Sequence, residues 1–80
     1  MCYVTTKIFG GLATYGCEAE VTMCPMGVDG YHIHTTYREI TARRDAAGIC
    51  GTVATIEEAE SLYERAVESA RQWFAANRVD

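Results

Sequence analysis

The sequence predicts an α+β domain in which a three- to four-stranded antiparallel sheet, in the order β-β-β-(β)-α, is covered on one face by one long C-terminal helix. Apolar residues recur at spacings of three and four over residues 55–76, which is the period of an amphipathic helix. Residues 15–24 and 31–40 alternate between the two faces of a strand. The chain of 80 residues is 49% hydrophobic and contains one proline, so we expect residues 1–80 to form a single compact domain.

The C-terminal helix is predicted from an apolar stripe and from an N-terminal cap. Thr55 and Glu58 form a capping-box pattern, in which the Thr55 hydroxyl accepts the Glu58 N–H and the Glu58 side chain reaches back. At about 1.5 Å per residue the helix is roughly 30 Å long, so it needs a large surface to cover. The stripe consists of Ala59, Leu62, Tyr63, Ala66, Val67, Ala70, Trp73 and Phe74.

The strands are predicted from alternation and from the turns between them. A first strand covers residues 2–9 and ends at Gly10 and Gly11. A hairpin follows, with its turn at residues 25–30. Residues 49–54 indicate a short fourth strand, whereas residues 41–48 fit either a longer strand or a surface loop.

The alternation also assigns the two faces of the hairpin, because a slip of one residue would send its apolar row to the solvent. The inner face holds Cys17, Ala19, Val21, Met23, Tyr31, Ile33, Thr35 and Tyr37. The outer face brings Glu18 and Glu20 near His34, Thr36 and Arg38, so that opposite charges meet across the strands.

Charge and composition exclude several functions. The net charge of -4 argues against direct binding to a nucleic-acid backbone, and it favours a protein partner with a basic surface. We expect neither a membrane partner nor a cofactor. Residues 1–7 lack the basic leader and apolar run of a signal peptide, so we expect a protein of the host-cell cytoplasm with reduced cysteines.

The sequence gives little support to metal binding or to catalysis. Cys24, His32 and His34 share the outer face in this prediction and would need Glu18 or Glu20 to complete a zinc site, but the chain has no Cys-x-x-Cys motif. We therefore expect exposed histidines and no metal. A small sheet with one helix leaves little volume for an enclosed catalytic site, so we expect no enzyme and no catalytic residues.

The predicted partner-binding residues form two groups. Glu57, Glu60, Glu64 and Glu68 fall within one arc of the helix, where they form either a solvated face or a negative surface for a basic partner.

The second group lies on the sheet. If Thr6 and Ile8 face the helix, Tyr3 and Phe9 face outwards, and together with His32 and His34 they offer an aromatic docking surface.

The size, acidity and layout of the chain resemble those of phage-encoded anti-defence proteins, in particular anti-CRISPR proteins. That resemblance implies an inhibitor that binds a CRISPR effector and blocks its DNA binding or nuclease recruitment, often with an acidic surface. Residues 51–59 are also similar to the strand-to-helix junction of HicB-type antitoxins, where a threonine and Glu-Glu-Ala precede a helix.

We therefore predict a non-enzymatic protein-binding inhibitor, with the anti-CRISPR type as the leading specific case, that is a monomer or a weak homodimer. Its expected partner is a protein with a basic surface, such as a CRISPR effector subunit. The alternatives are a HicB-like antitoxin and a small metal- or thiol-dependent protein.

Overall fold

A computed structural model describes residues 5–41 and 46–78 and confirms the α+β layout. An antiparallel sheet is covered on one face by a long C-terminal helix. In chain order the elements are β1 (Thr5–Gly11), α1 (Leu12–Tyr15), β2 (Cys17–Pro25), a 3-10 turn (Gly27–Asp29), β3 (Tyr31–Glu39), β4 (Ala46–Ala47), β5 (Gly51–Val53) and α2 (Ile56–Asn77).

The central hairpin has the predicted faces. β2 lies between β1 and β3, and it pairs Val21 with Thr35 and Met23 with Ile33. Both pairs carry their side chains on the face that α2 covers. The apolar alternation therefore fixes the register of the hairpin, as expected for a sheet with one buried face.

The core lies between this inner face and α2. Alanines occupy the centre of the buried stripe of the helix, and their small side chains let α2 lie close to the sheet. Larger apolar side chains, including Leu62 and Trp73, close the core at its margins. Among the described residues, the fully buried side chains are those of Cys17, Ala19, Val21, Ile33, Thr35, Ala59, Ala66 and Ala70.

The start of α2 is the predicted capping box. The Thr55 hydroxyl oxygen accepts the Glu58 N–H at 3.2 Å, and the hydroxyl lies 3.3 Å from the Glu58 carboxylate. At the other end, the Asn77 side chain donates to the Trp73 carbonyl at 2.7 Å. The motif shared with HicB-type antitoxins lies at the first of these caps, so capping chemistry accounts for it.

The first strand differs from the prediction. β1 continues through Gly10 and Gly11, and Tyr15 belongs to α1 instead of the second strand. Phe9 pairs with Ala19 and packs against the core, so the expectation that Phe9 faces outwards is wrong. Thr6 and Ile8 lie on the outer face, since side chains alternate along a strand.

The far edge of the sheet is one strand interrupted by a bulge. β4 pairs Ala47 with Thr36, and β5 pairs Gly51 with Ile33. Between these two pairs, the edge strand has three residues, 48–50, opposite only two residues of β3, 34–35. The extra residue on the edge strand makes this a β-bulge. The predicted fourth strand is shorter than residues 49–54, and residues 46–47 add to the sheet, while residues 42–45 lie outside the described part of the chain.

Candidate protein-binding surfaces

The predicted acidic residues of α2 form one exposed surface, called here the acidic face. Their spacing of three or four residues places them on one side of the helix, away from the buried alanines. All four side chains are exposed. The acidic face consists of Glu57, Glu60, Glu64 and Glu68.

Glu68 is engaged by neighbours on its own helix. Arg71 Nε donates to Glu68 Oε2 at 3.0 Å, and Gln72 Nε2 donates to Glu68 Oε1 at 3.1 Å. The hydrogen bond from Arg71, followed by that from Gln72, lowers the pKa of Glu68. Glu68 therefore keeps its charge in mildly acidic solution, but its two oxygens already have donors.

The other three carboxylates have no such neighbours in the part of the chain that the structure describes. Within residues 5–41 and 46–78, no basic side chain forms an ion pair with Glu57, Glu60 or Glu64. Like charges three or four residues apart disfavour an isolated helix. Glu57 has a structural benefit, because it lies in the first turn near the positive end of the helix dipole. Glu60 and Glu64 lie beyond the first turn, so the helix does not stabilise their charges in this way.

A groove runs along α2 beside the acidic face. It consists of two adjoining hollows of about 430 and 400 Å³, and both are lined by Ser61 and Arg65. Ile49 and Val53, from the bulged edge of the sheet, supply apolar lining. The complete lining is Ile49, Val53, Glu57, Glu58, Ser61, Leu62, Glu64, Arg65, Glu68, Ser69 and Gln72. We call this the α2 groove. Three members of the acidic face therefore border a concave, partly apolar surface.

The outer face of the sheet carries the two histidines. His32 Nδ1 lies 3.0 Å from Thr52 Oγ1, and His34 Nε2 lies 3.3 Å from Thr36 Oγ1. The two imidazole rings stack with 6.3 Å between their centroids. Both rings thus have hydroxyl partners on the sheet surface.

The predicted charge pairing across the hairpin is present on the same face. Arg38 contacts Glu18 at 2.8 Å and Glu20 at 3.6 Å. Arg38 thus offsets one of these two negative charges, whereas no described basic residue forms an ion pair with Glu57, Glu60 or Glu64. The outer face is therefore polar, and part of its negative charge is held in ion pairs.

The candidate zinc ligands do not converge. Cys24 and His32 are paired across β2 and β3, so they are neighbours on the outer face. In the described part of the chain, however, no group of three His, Cys, Asp or Glu side chains is arranged to hold a metal ion.

The predicted partner-binding residues belong to separate places. The acidic face lies on α2, whereas His32 and His34 lie on the opposite face of the sheet. Phe9 contributes to the core, and Tyr3 lies outside the described residues. Sequence reasoning missed the groove residues Ile49 and Arg65, because the bulge that brings the edge strand beside α2 has no clear sequence signal.

Comparison of the chain with models of protein families, with curated proteins and with solved structures finds no match. No helix among the described residues is long and apolar enough to cross a membrane. Function is therefore inferred from the surfaces themselves.

Proposed function

We propose that this protein is a non-enzymatic inhibitor that binds a basic surface of another protein through the acidic face and the α2 groove. The observation that carries the proposal is the set of exposed carboxylates on Glu57, Glu60 and Glu64, which no described basic residue neutralises. A lysine- or arginine-rich partner supplies the missing counter-charges.

The α2 groove also provides an apolar contact surface for such a partner. Exposed charges mainly accelerate association and select the partner, whereas buried apolar contacts supply most of the affinity. Ile49, Val53 and Leu62 offer apolar contact area next to the carboxylates. A basic segment with one apolar side fits both features.

The partner class we propose is a nucleic-acid-handling complex, specifically a CRISPR effector subunit. Proteins that bind nucleic-acid backbones collect lysine and arginine in grooves, where these residues contact phosphates. A row of carboxylates on a rigid helix competes for such a groove. The acidic composition of the whole chain, with a net charge of -4, adds to the attraction.

The test uses purified CRISPR effector complexes of several types and measures their binding to labelled target DNA as this protein is added. We expect the protein to displace DNA from one effector type, and we expect the combined variant E57Q/E60Q/E64Q to lose this effect. The control variant E18Q/E20Q/E39Q removes three charges elsewhere and should still inhibit.

Two results would contradict the proposal. Inhibition by E57Q/E60Q/E64Q at the parental level would exclude the acidic face as the binding surface. Unchanged DNA binding by every effector type, at protein concentrations far above that of the effector, would exclude competition with DNA for the basic groove of a CRISPR effector.

A further inference from the structure

The two edges of the sheet differ in length and regularity. One edge is formed by β4 and β5, which have 2 and 3 residues and are separated by the bulge. The other edge is β1, which has 7 residues, Thr5–Gly11, and no proline. Short strands and bulges protect an edge against pairing with another chain, and a longer regular strand invites it.

The hydrogen bonds at both ends of the β2–β3 hairpin show which backbone groups face which neighbour. The Ile40 N–H donates to the Gly16 carbonyl at 2.9 Å, and the Met26 N–H donates to the Gly30 carbonyl at 2.7 Å. Both pairs continue the β2–β3 register. Hydrogen-bonded pairs alternate along an antiparallel ladder. The backbone N–H and C=O groups of even-numbered residues of β2 therefore face β3, and those of odd-numbered residues face β1.

The same alternation identifies the free groups of β1. Lys7 pairs with Val21, an odd-numbered residue of β2, so the Lys7 backbone groups face β2. The N–H and C=O groups of Thr6 and Ile8 then point away from the sheet. Among the described residues, no strand pairs with β1 on this side. The Ile8 side chain is 50% exposed.

We propose that this edge is a homodimer interface, in which β1 pairs antiparallel with β1 of a second copy around a two-fold axis at Ile8. This register spans residues 5–11 of both copies, including Gly10, whose φ of 80° departs from extended backbone. It places Ile8 opposite Ile8 of the second copy, and it places Lys7 opposite Phe9 of the second copy. The outward N–H and C=O groups of Ile8 in the two copies satisfy each other, as in a hydrogen-bonded antiparallel pair.

The side chains on both faces suit this register. Within one chain the Lys7 ammonium already lies over the Phe9 ring, 5.6 Å from its centroid. The two-fold axis at Ile8 repeats this pairing between copies, and it brings the two exposed Ile8 side chains together on the outer face. A register centred on Lys7 would instead place two like charges directly opposite each other, which is unfavourable.

The proposed pairing closes on itself. A two-fold axis uses the same edge of both copies, so the dimer has no further free β1 edge and does not grow into a fibre. Each copy carries a net charge of -4, and this repulsion opposes association, so the dimer is weak and forms with rising concentration. The interface is an edge of the sheet, separate from the acidic face of α2.

The first test is sedimentation velocity over a range of protein concentrations. We expect the mass to rise from that of one chain towards twice that value. Ile8→Pro removes an outward donor from each copy and leaves the hydrogen bonds between β1 and β2 in place, so it should weaken dimerisation by about tenfold or more. The matched control is Thr52→Pro on β5. Its N–H also points away from the sheet, since Gly51 and Val53 lie opposite Ile33 and Tyr31, odd-numbered residues of β3 whose backbone groups face β5.

A second test needs no variant. Amide hydrogen exchange followed by NMR should show that the Thr6 and Ile8 amides become protected as the concentration rises, while the Thr52 amide does not. A single-chain mass at every concentration up to about 1 mM, a range for weak complexes, would overturn the proposal. So would a dimer that persists in a folded Ile8→Pro variant, or polymers larger than a dimer.

Discussion

Trp73 on α2 stacks face to face on Tyr37 of β3, with 4.5 Å between the ring centroids and 6° between the ring planes. The Tyr37 hydroxyl also lies 3.4 Å from Ser69 Oγ, one turn earlier on the helix. One strand residue thus contacts two positions of α2. This pair fixes the position of the C-terminal half of the helix over the sheet.

Trp73→Ala should lower the free energy of unfolding by about 3 kcal/mol, because a large aromatic side chain is lost from the margin of the core and Tyr37 loses its stacking partner. Urea unfolding followed by circular dichroism measures this change. Gln72→Ala, at the exposed neighbouring position, should change stability by less than about 0.5 kcal/mol. A Trp73→Ala loss as small as that of the control would contradict the observed packing.

Thr35→Val should raise the free energy of unfolding by about 1 kcal/mol. The Thr35 side chain is 0% exposed, and its hydroxyl has no hydrogen-bond partner among the described residues. Valine keeps the shape and removes the polar atom, so folding no longer desolvates an unpaired hydroxyl. Thermal unfolding measures the effect, and a lower melting temperature in Thr35→Val would show that the hydroxyl is satisfied.

Gly10→Ala should cost about 2 kcal/mol or more, because Gly10 has a φ of 80° that disfavours a side chain. A methyl group there would also collide with the Phe74 ring and lie 2.8 Å from the Cys17 carbonyl oxygen. Gly11→Ala is the matched control, since a methyl group there meets nothing within 4 Å. Equal unfolding midpoints for the two variants in urea would contradict this account of β1.

Stability should fall at alkaline pH. Burial raises the pKa of Cys17, with a smaller contribution from the Glu39 carboxylate that outweighs the opposing charge of Arg78. Burial also raises the pKa of Tyr63. The unfolded chain therefore releases both protons at lower pH than the folded chain does. The resulting stability is fully present below the unfolded cysteine pKa of about 8.5 and is lost as the pH rises above it.

The loss of stability at alkaline pH is followed by measuring the free energy of unfolding between about pH 7 and pH 11, a range that spans the ordinary cysteine and tyrosine pKa values. Cys17→Ala lowers stability overall, but its decline should begin at higher pH, because only the tyrosine contribution remains. An identical pH profile for Cys17→Ala and the parent chain would show that Cys17 does not contribute.

The elements with strong local signals could be predicted from the sequence. Val21 and Ile33 belong to rows that alternate clearly, and burial of one face allows a single register. Thr55 and Glu58 stabilise the start of α2 through contacts three residues apart, so the helix start is encoded locally. The spacing of the four glutamates likewise places the acidic face without knowledge of the sheet.

Features that depend on distant partners could not be predicted. The first strand has no clear apolar side, so only pairing with Ala19 on β2 determines that Phe9 points inwards. The α2 groove depends on the bulge at residues 48–50, which positions Ile49 beside the helix. The spacing alone also did not distinguish Glu68, which Arg71 and Gln72 engage, from Glu60, which has no ion-pair partner among the described residues.

If the acidic face binds basic protein surfaces, the position of its charges, and not the net charge alone, should set the association rate. Replacing Glu57, Glu60 and Glu64 with glutamine should leave the fold intact, because these side chains are exposed and three pairs of neighbouring like charges are removed. The loss of Glu57 slightly weakens the first helical turn. Circular dichroism establishes that the variant is folded before binding is measured.

Stopped-flow fluorescence measures the association rate of a fluorescent, lysine-rich amphipathic peptide over a range of salt concentrations. The rate is compared for the parent protein, E57Q/E60Q/E64Q and the equally charged control E18Q/E20Q/E39Q. We predict that at low salt the acidic-face variant associates roughly tenfold more slowly than the control. The difference should shrink above about 0.1 M salt, where charges are screened beyond about 10 Å. Equal rates for the two variants at every salt concentration would contradict the claim, because net charge alone would then explain the binding.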